Sequence, residues 1–530
     1  MSSRRAGWAL FLAALAAGIA GAALTGGART ASAPRAAARH PWIVVGIDGG
    51  AWKVIDTMQA RGELANFRAL AERGTRAVLH TAYNASPVIW TTIATGVKPQ
   101  VHGITDFVVP TAQGDVPVSS SLRRVPALWN MMSRVHRRVV VYGWWATWPA
   151  EEVEGRVVTD RVFLDVPRKV YPASFAKEVE RVAGTLRGDS WGFDLESAPE
   201  RRDRLVAALA LGSLGEDYEL TLIYFRGTDV VSHARWHVFE PDAFPAAARP
   251  LPGERDDVAR VYRAVDRALG ELMARAPADA NWLVVSDHGF RAETEGRTQI
   301  NLDIDPILEQ LGYLARTAGG VDFTRTLVYP YDSPSHHAQR RMRYALAGRE
   351  PGGRVVPSER RAIRKRLERD LERVRWGSGA AVFEVRDARP RDQRGGADFV
   401  VRVRPEGATP EVRIDGEPMA GRATVYTLTG THTASTPGIL IAAGPDLEPG
   451  AVLDDVHVHD IAPTLLYGLG LPVADDFAGR PRTELFNAAF RRQHPVRRIA
   501  SWGTREVAGP ATSTADAAMV EDLKALGYLK

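Results

Sequence analysis

Seven side chains of this 530-residue sequence have types that hydrolytic metal chemistry uses, and each lies beside an apolar run or a helix start. Leu283-Val-Val leads into Ser286-Asp287-His288-Gly289, which puts a hard oxygen beside an imidazole nitrogen, both zinc-ligand types, with a glycine to turn the backbone. Trp42 to Ile47 closes on Asp48-Gly49-Gly50. Leu220 to Phe225 closes on Arg226-Gly227-Thr228-Asp229, and His233 follows at i+4, on the same face of any helix that starts there. His432 precedes the apolar run Gly438 to Ala442. Ser86 stands before Pro87, the pattern of an N-cap with proline at the first helical position, so its hydroxyl is expected at the positive end of a helix running to Gly96. Singly, each group has a plain structural reading: Asp-Gly as a turn, Ser-Pro as a cap, a lone His as a satisfied loop residue. Together, three carboxylates, three imidazoles and one hydroxyl form the inventory of a two-metal hydrolytic site.

The elements that must position these groups follow from the apolar runs. Short β-branched runs at 42–47, 139–142, 220–225 and 283–285 alternate with helical patterns, which predicts an α/β fold with a mostly parallel central sheet and helices on both faces. In such sheets, functional groups gather at the carboxyl ends of the strands. Composition changes after residue 315, where Arg-rich segments are punctuated by Pro330, Pro334, Gly352-Gly353, Pro357 and Gly395-Gly396. The expected organisation is therefore 40–315 with 426–490 as the catalytic domain, 316–425 as an inserted subdomain carrying an amphipathic helix within Ser358 to Trp376, and 491–530 as a tail. Residues 173–215 read as solvent-facing helices. Several groups are set aside: His102 as a hydrogen-bonding loop residue, Trp144, Trp145 and Trp148 as packing, and Asp460, beside His457 and His459, as a helix cap.

Composition limits the chemistry. The chain has no Cys, so disulfides, thiolate ligands and a Cys nucleophile are excluded, and any metal must be held by His and carboxylate. A net charge of +5 from 68 basic and 63 acidic residues gives no nucleic-acid-binding signature. Residues 1–33, with Arg4-Arg5, an apolar run from Trp8 to Leu24 and Ala31-Ser32-Ala33, read as a signal peptide or an N-terminal membrane anchor, so the protein is expected to be exported to the periplasm or beyond. Oligomeric state has no signature in the sequence.

The ordered stretches Val-Gly-Ile-Asp48-Gly, Ser86 to Gly103, Gly227-Thr-Asp229 with His233, Ser286-Asp-His-Gly-Phe290, Gly430-Thr-His432 and His459-Asp-Ile-Ala-Pro-Thr464 resemble the alkaline phosphatase superfamily, and within it the type I phosphodiesterase/nucleotide pyrophosphatase family. The resemblance implies two divalent metals, usually zinc. Asp229, His233 and His432 would hold one; Asp48, Asp287 and His288, with the Ser86 oxygen, would hold the other. It further implies hydrolysis of a small-molecule phosphate ester through a phosphoseryl intermediate on Ser86. Where the family commonly shows Thr-Phe-Pro-Asn around its nucleophile, this chain has Ser86-Pro-Val-Ile, and the asparagine that donates to a phosphate oxygen has no counterpart. A phosphomonoesterase and a membrane-anchored phosphotransferase of lipid or glycan head groups would use the same groups. A sulfatase would need a formylglycine precursor, which the residues after Ser86 do not provide.

Overall fold

A computed structural model describes residues 40–111, 114–186, 200–244, 250, 255–302, 304–317, 320–330, 339–388, 396–516, 519, 520, 523, 528 and 529. The expected signal peptide or anchor at 1–33 lies outside the described residues, among which no helix is long and apolar enough to cross a membrane.

The apolar runs form the core of one large sheet. Its strands in chain order are β1 (Trp42–Ile47), β2 (Thr75–His80), β3 (Val139–Tyr142), β4 (Gly155–Val158), β5 (Val170–Tyr171), β6 (Leu220–Phe225), β7 (Asn281–Val285), β8 (Gly438–Ala443) and β9 (Val456–His457), arranged β9-β2-β8-β7-β1-β6-β3-β4-β5. The central ladder is parallel: β1 pairs with β6 and β7, and β3 with β6 and β4. β8 runs antiparallel between β7 and β2. The sheet is therefore mostly parallel.

Because side chains alternate along a strand, β1 sends Trp42 and Val44 to one face and Ile43, Val45 and Ile47 to the other. Both faces are covered, which explains why β1, β6 and β7 are apolar throughout instead of alternating. Helices α1 (Trp52–Ala60), α2 (Ala65–Glu72), α4 (Arg201–Ser213), α5 (Gly227–Phe239) and α6 (Asp257–Arg275) cover one face, and α3 (Ser86–Thr95) and α8 (Ile461–Gly468) the other. The solvent-facing reading of 173–215 is corrected here for α4. Leu205, Val206, Leu209 and Ala210 are buried against the sheet, and the arginines around them mask that apolar stripe in the sequence.

Between β7 and β8 the chain leaves the sheet. Arg291–Leu302 pairs antiparallel with Glu417–Thr431, and a second four-stranded sheet joins Val328–Pro330, Gln339–Tyr344, Phe399–Val403 and Phe383–Asp387. Helix α7 (Arg360–Glu372) packs Leu367 and Leu371 into a separate core with Trp376 and Val401. The antiparallel pairing begins at Arg291, well ahead of the change in composition.

Candidate metal and phosphoryl-transfer site

The site is assembled where β1, β6 and β7 end side by side. Asp48 donates its backbone N–H to the Phe225 carbonyl, continuing the β1/β6 ladder by one step. The backbone then turns at Gly49, whose φ of 66° lies in the left-handed region. A Cβ there would meet Phe290 at 2.6 Å and the Asp229 backbone at 3.0 Å, so only glycine lets these strand ends approach so closely. The β7 end is locked to the same turn: the Gly50 N–H donates to Ser286 Oγ at 2.7 Å, and Ser286 Oγ donates to the His288 carbonyl at 2.6 Å. Asp287 Oδ1 accepts from the N–H groups of Gly49 and His288 at 3.2 and 3.0 Å. These bonds leave Asp287 Oδ2 to face the site.

Asp229 and His233 share one face of the first turns of α5. That helix start is fixed from behind by Asp203 of α4, which accepts from the N–H groups of Arg226 and Gly227 at 2.8 and 2.9 Å; burial pushes the Asp203 carboxyl up to about 7. The Thr228 hydroxyl donates to the Asp48 carbonyl at 2.5 Å and ties α5 to β1. His432 arrives from the far end of the antiparallel excursion, just past Glu417–Thr431. The loop that carries it returns to the sheet through the Gly289 N–H, which donates to the Thr436 carbonyl.

The structure brings together all seven residues singled out in the sequence. His288 Nε2 lies 3.5 Å from Asp48 Oδ1, 3.7 Å from Asp229 Oδ1 and 3.4 Å from Asp287 Oδ2. His233 Nε2 lies 3.5 Å from Asp229 Oδ1. The His432 ring stacks on that of His288 at 3.5 Å, and Phe290 packs against all three imidazoles. Two trios result, Asp48 with Asp287 and His288, and Asp229 with His233 and His432, the ligand atoms of each lying within 4.8 Å of one another. Ring tautomers follow from the backbone: His288 Nδ1 and His233 Nδ1 sit 3.1 Å from the carbonyls of Gly289 and Gly430, so each donates there and keeps an Nε2 lone pair toward the carboxylates.

Electrostatics identify what the cluster requires. Burial, then the Asp48 charge, holds the carboxyls of Asp229 and Asp287 well above the usual aspartate range, and burial holds His288 below the usual imidazole range. Asp229 Oδ1, Asp287 Oδ2 and His288 Nε2 are buried and make no hydrogen bond among the described residues. Three converging buried carboxylates with such atoms turned inward are costly alone and are resolved by cations. The donor set of hard oxygens and imidazole nitrogens fits divalent metals.

Ser86 departs from its expected role as a cap. Ala85 is the N-cap of α3 and Ser86 the first helical residue; its hydroxyl makes no cap hydrogen bond and donates instead to Asp48 Oδ1 at 3.3 Å. The nearby carboxylate competes successfully for the hydroxyl. Asp460 stands at the N-cap position of α8 as expected, but its carboxylate makes no cap bond there and accepts from the N–H groups of His457 and Arg480 and from Arg482. His102 bonds Thr92 and the Ile104 N–H, and burial lowers its pKa to about 3.

Three groups at the site escaped the sequence reading. Tyr224 and Trp145 Nε1 both donate to Asp48 Oδ2, the latter at 3.3 Å, and the Tyr528 hydroxyl donates to Asp229 Oδ2. Tyr224 has a sequence signal in strand periodicity, since the last residues of a strand that ends at the site must face it on alternate positions. For Trp145 and Tyr528 the sequence holds no such signal.

The fold is thus a mostly parallel α/β sheet with two carboxylate and imidazole clusters gathered beyond the ends of its central strands. The model of the type I phosphodiesterase/nucleotide pyrophosphatase family matches residues 42–399, and the chain belongs to that family: it is a hydrolase of phosphoric ester bonds. Similar solved structures include human ectonucleotide pyrophosphatase/phosphodiesterase 5, with 13% identity and a TM-score of 0.43 over 84% of this chain and 100% of that one. The murine counterpart has 13% identity and a TM-score of 0.44 over the same shares. Phosphonoacetate hydrolase from Sinorhizobium meliloti 1021, in complex with phosphonoformate, has 16% identity and a TM-score of 0.43 over 81% of this chain and 95% of that one. No curated protein sequence matches the chain.

Proposed function

We propose that the protein is an exported hydrolase of small-molecule phosphate esters that acts through a Ser86 phosphoenzyme, with two zinc ions held by the two trios. The observation that carries this reading is the Ser86 hydroxyl 3.3 Å from Asp48 Oδ1, at the edge of one trio, with the second trio beyond it. Bound divalent ions would supply the charge that draws a phosphate ester into a carboxylate-lined site and makes the serine hydroxyl more acidic.

The protein's own groups do the rest. Asp48 Oδ1 holds the hydroxyl proton and aims the oxygen lone pairs away from itself, while the start of α3 favours negative charge on that oxygen. Attack of Ser86 Oγ on phosphorus breaks the ester bond on the opposite side, the alcohol leaving with the proton that the serine gives up, and water then cleaves the seryl phosphate, restoring the hydroxyl and releasing a phosphate monoester from a diester or phosphate from a monoester. Tyr224, kept protonated by burial and by the Asp48 charge, holds Asp48 Oδ2 throughout.

Phosphomonoesters are a second reading with a specific observation behind it. The Arg226 guanidinium lies 4.9 Å from the Trp145 ring and 5.4 Å from that of Tyr528, which places a fixed cation beside both trios, where a dianionic monoester gains more than a monoanionic diester. Turnover of a phosphomonoester, a phosphodiester and a nucleotide pyrophosphate by zinc-loaded protein separates these substrates, and turnover of none of them ends the hydrolase assignment. Elemental analysis is expected to find two ions per chain. Export is tested by N-terminal sequencing, expected to begin near Pro34 if the signal is cleaved.

A further inference from the structure

Described residues between Trp502 and Leu529 are anchored at several points and reach the site. The Arg505 N–H donates to the Arg124 carbonyl at 2.8 Å, and its guanidinium pairs with Glu151, which also pairs with the buried Arg123. Ser121 Oγ donates to the Gly509 carbonyl at 2.6 Å. Asp516 then pairs at 2.9 Å with Arg161, whose side chain is fully buried. Val520 and Leu523 enter the core that holds α3, and the Tyr528 N–H donates to the Leu523 carbonyl at 3.0 Å. An arrangement with this many buried anchors sets the position of the residue it delivers.

That residue is Tyr528. Its ring stacks on Phe107 at 4.9 Å and meets His233 edge-on at 5.4 Å, and its hydroxyl donates to Asp229 Oδ2. The bond divides the Asp229 carboxylate: Oδ2 is occupied by the phenol, while Oδ1 faces His233 at 3.5 Å and His288 at 3.7 Å. Asp48 is divided in the same way, with Oδ2 held by Tyr224 and Trp145 and Oδ1 facing Ser86 and His288. The phenol thus does for one trio what Tyr224 and the Trp145 indole do for the other.

We propose that Tyr528 is a positioning residue for the Asp229, His233, His432 ion, so that this half of the site is complete only when the segment 502–529 is docked. This rests on the two-metal reading above. Outer partners of metal-ligating carboxylates orient the ligand and typically govern roughly 10- to 100-fold in affinity.

The test compares full-length wild type with Tyr528→Phe, which keeps the ring and its stacking on Phe107. Zinc is titrated against a competing chelator, and the melting temperature of the metal-free protein is recorded. The expected result is a drop of roughly 10- to 100-fold in affinity at one of two sites, the other site staying unchanged, beside the modest fall in metal-free melting temperature that loss of one buried hydrogen bond brings. Unchanged affinity at both sites overturns the inference, as does a lowered metal-free melting temperature with affinities intact, which is the signature of packing alone. A wild type that binds fewer than two ions overturns the two-metal reading itself, and this inference with it.

Discussion

Asp48, Asp287 and His288 come from the ends of two adjacent parallel strands, whereas Asp229, His233 and His432 come from a helix turn and from the end of an excursion of more than a hundred residues, with a phenol brought in by the 502–529 segment. The first trio is held where the two strand-end turns bond each other, through Gly49, Gly50 and Ser286, with Tyr224 and Trp145 behind Asp48. The second depends on groups far away in sequence: Asp203 behind the helix start, the Gly430 carbonyl behind His233 and Tyr528 beside Asp229. Identical donor types are thus preorganised by two adjacent strand-end turns that bond each other in one case and by several separate elements in the other. Local unfolding should therefore empty the second trio before the first.

The largest expected effect removes the group that makes the first trio reactive. Ser86→Ala is expected to lower kcat by several orders of magnitude, on the order of the 10⁶ seen when a catalytic serine is deleted elsewhere. Both ions should remain, because the six carboxylate and imidazole ligands are untouched. A variant with near-normal kcat would remove Ser86 from the chemistry, leaving Thr91 and Thr92 as the hydroxyls to try next; both now donate within α3, to the carbonyls of Pro87 and Val88.

The contrast also explains what was legible in the sequence. A ligand that directly follows an apolar strand announces itself, as Asp48, Asp287 and His288 do, and an i, i+4 pair such as Asp229 and His233 is legible once a helix is expected there. His432 was legible through the resemblance of Gly430-Thr-His432 to a family stretch; taken alone, a histidine before a strand reads as a loop residue. The fold class followed from apolar runs bounded by glycine and proline, which strands of a doubly covered sheet require. What stayed hidden were contacts between residues remote in sequence. Trp145 bonds Asp48 across 97 positions and Tyr528 bonds Asp229 across 299, and nothing local to either aromatic distinguishes it from packing. The Ser86 reading as a cap erred for a related reason, since cap propensity is local while the carboxylate that captures the hydroxyl lies 38 positions away.

A smaller effect sharpens the electrostatic side of the comparison. Asp229 and Asp287, one from each trio, are both raised by burial and by the Asp48 charge, so the folded metal-free chain keeps protons there that the unfolded chain releases. Their contribution to stability is fully present below the ordinary value of 3.8 and is lost as pH rises through the raised values. A bound cation removes that loss. The difference in melting temperature between zinc-loaded and chelator-treated protein should therefore widen as pH rises above the ordinary aspartate value of 3.8. A difference that stays flat there means the carboxylates are not held protonated in the metal-free protein.

The smallest expected effect probes the link between the trios. Thr228 is fully buried next to Asp229, and its hydroxyl donates to the Asp48 carbonyl, so one side chain joins the helix that carries one trio to the strand that carries the other. Thr228→Val keeps the shape and removes the donor, leaving a buried carbonyl with one partner fewer. Such a loss typically costs about 1–3 kcal/mol, which should appear as a lowered melting temperature. If the link serves both halves of the site equally, zinc affinity at both falls together and by less than about tenfold, since no ligand and no group bonded to a ligand carboxylate has changed. A loss confined to the Asp229 trio would show instead that the first trio holds its geometry through the paired strand-end turns and the Tyr224 and Trp145 donors without the Thr228 link, and would make the contrast between the two trios sharper than the hydrogen bonds by themselves imply. The paired readout, melting temperature beside two-site zinc affinity, distinguishes these cases in one variant.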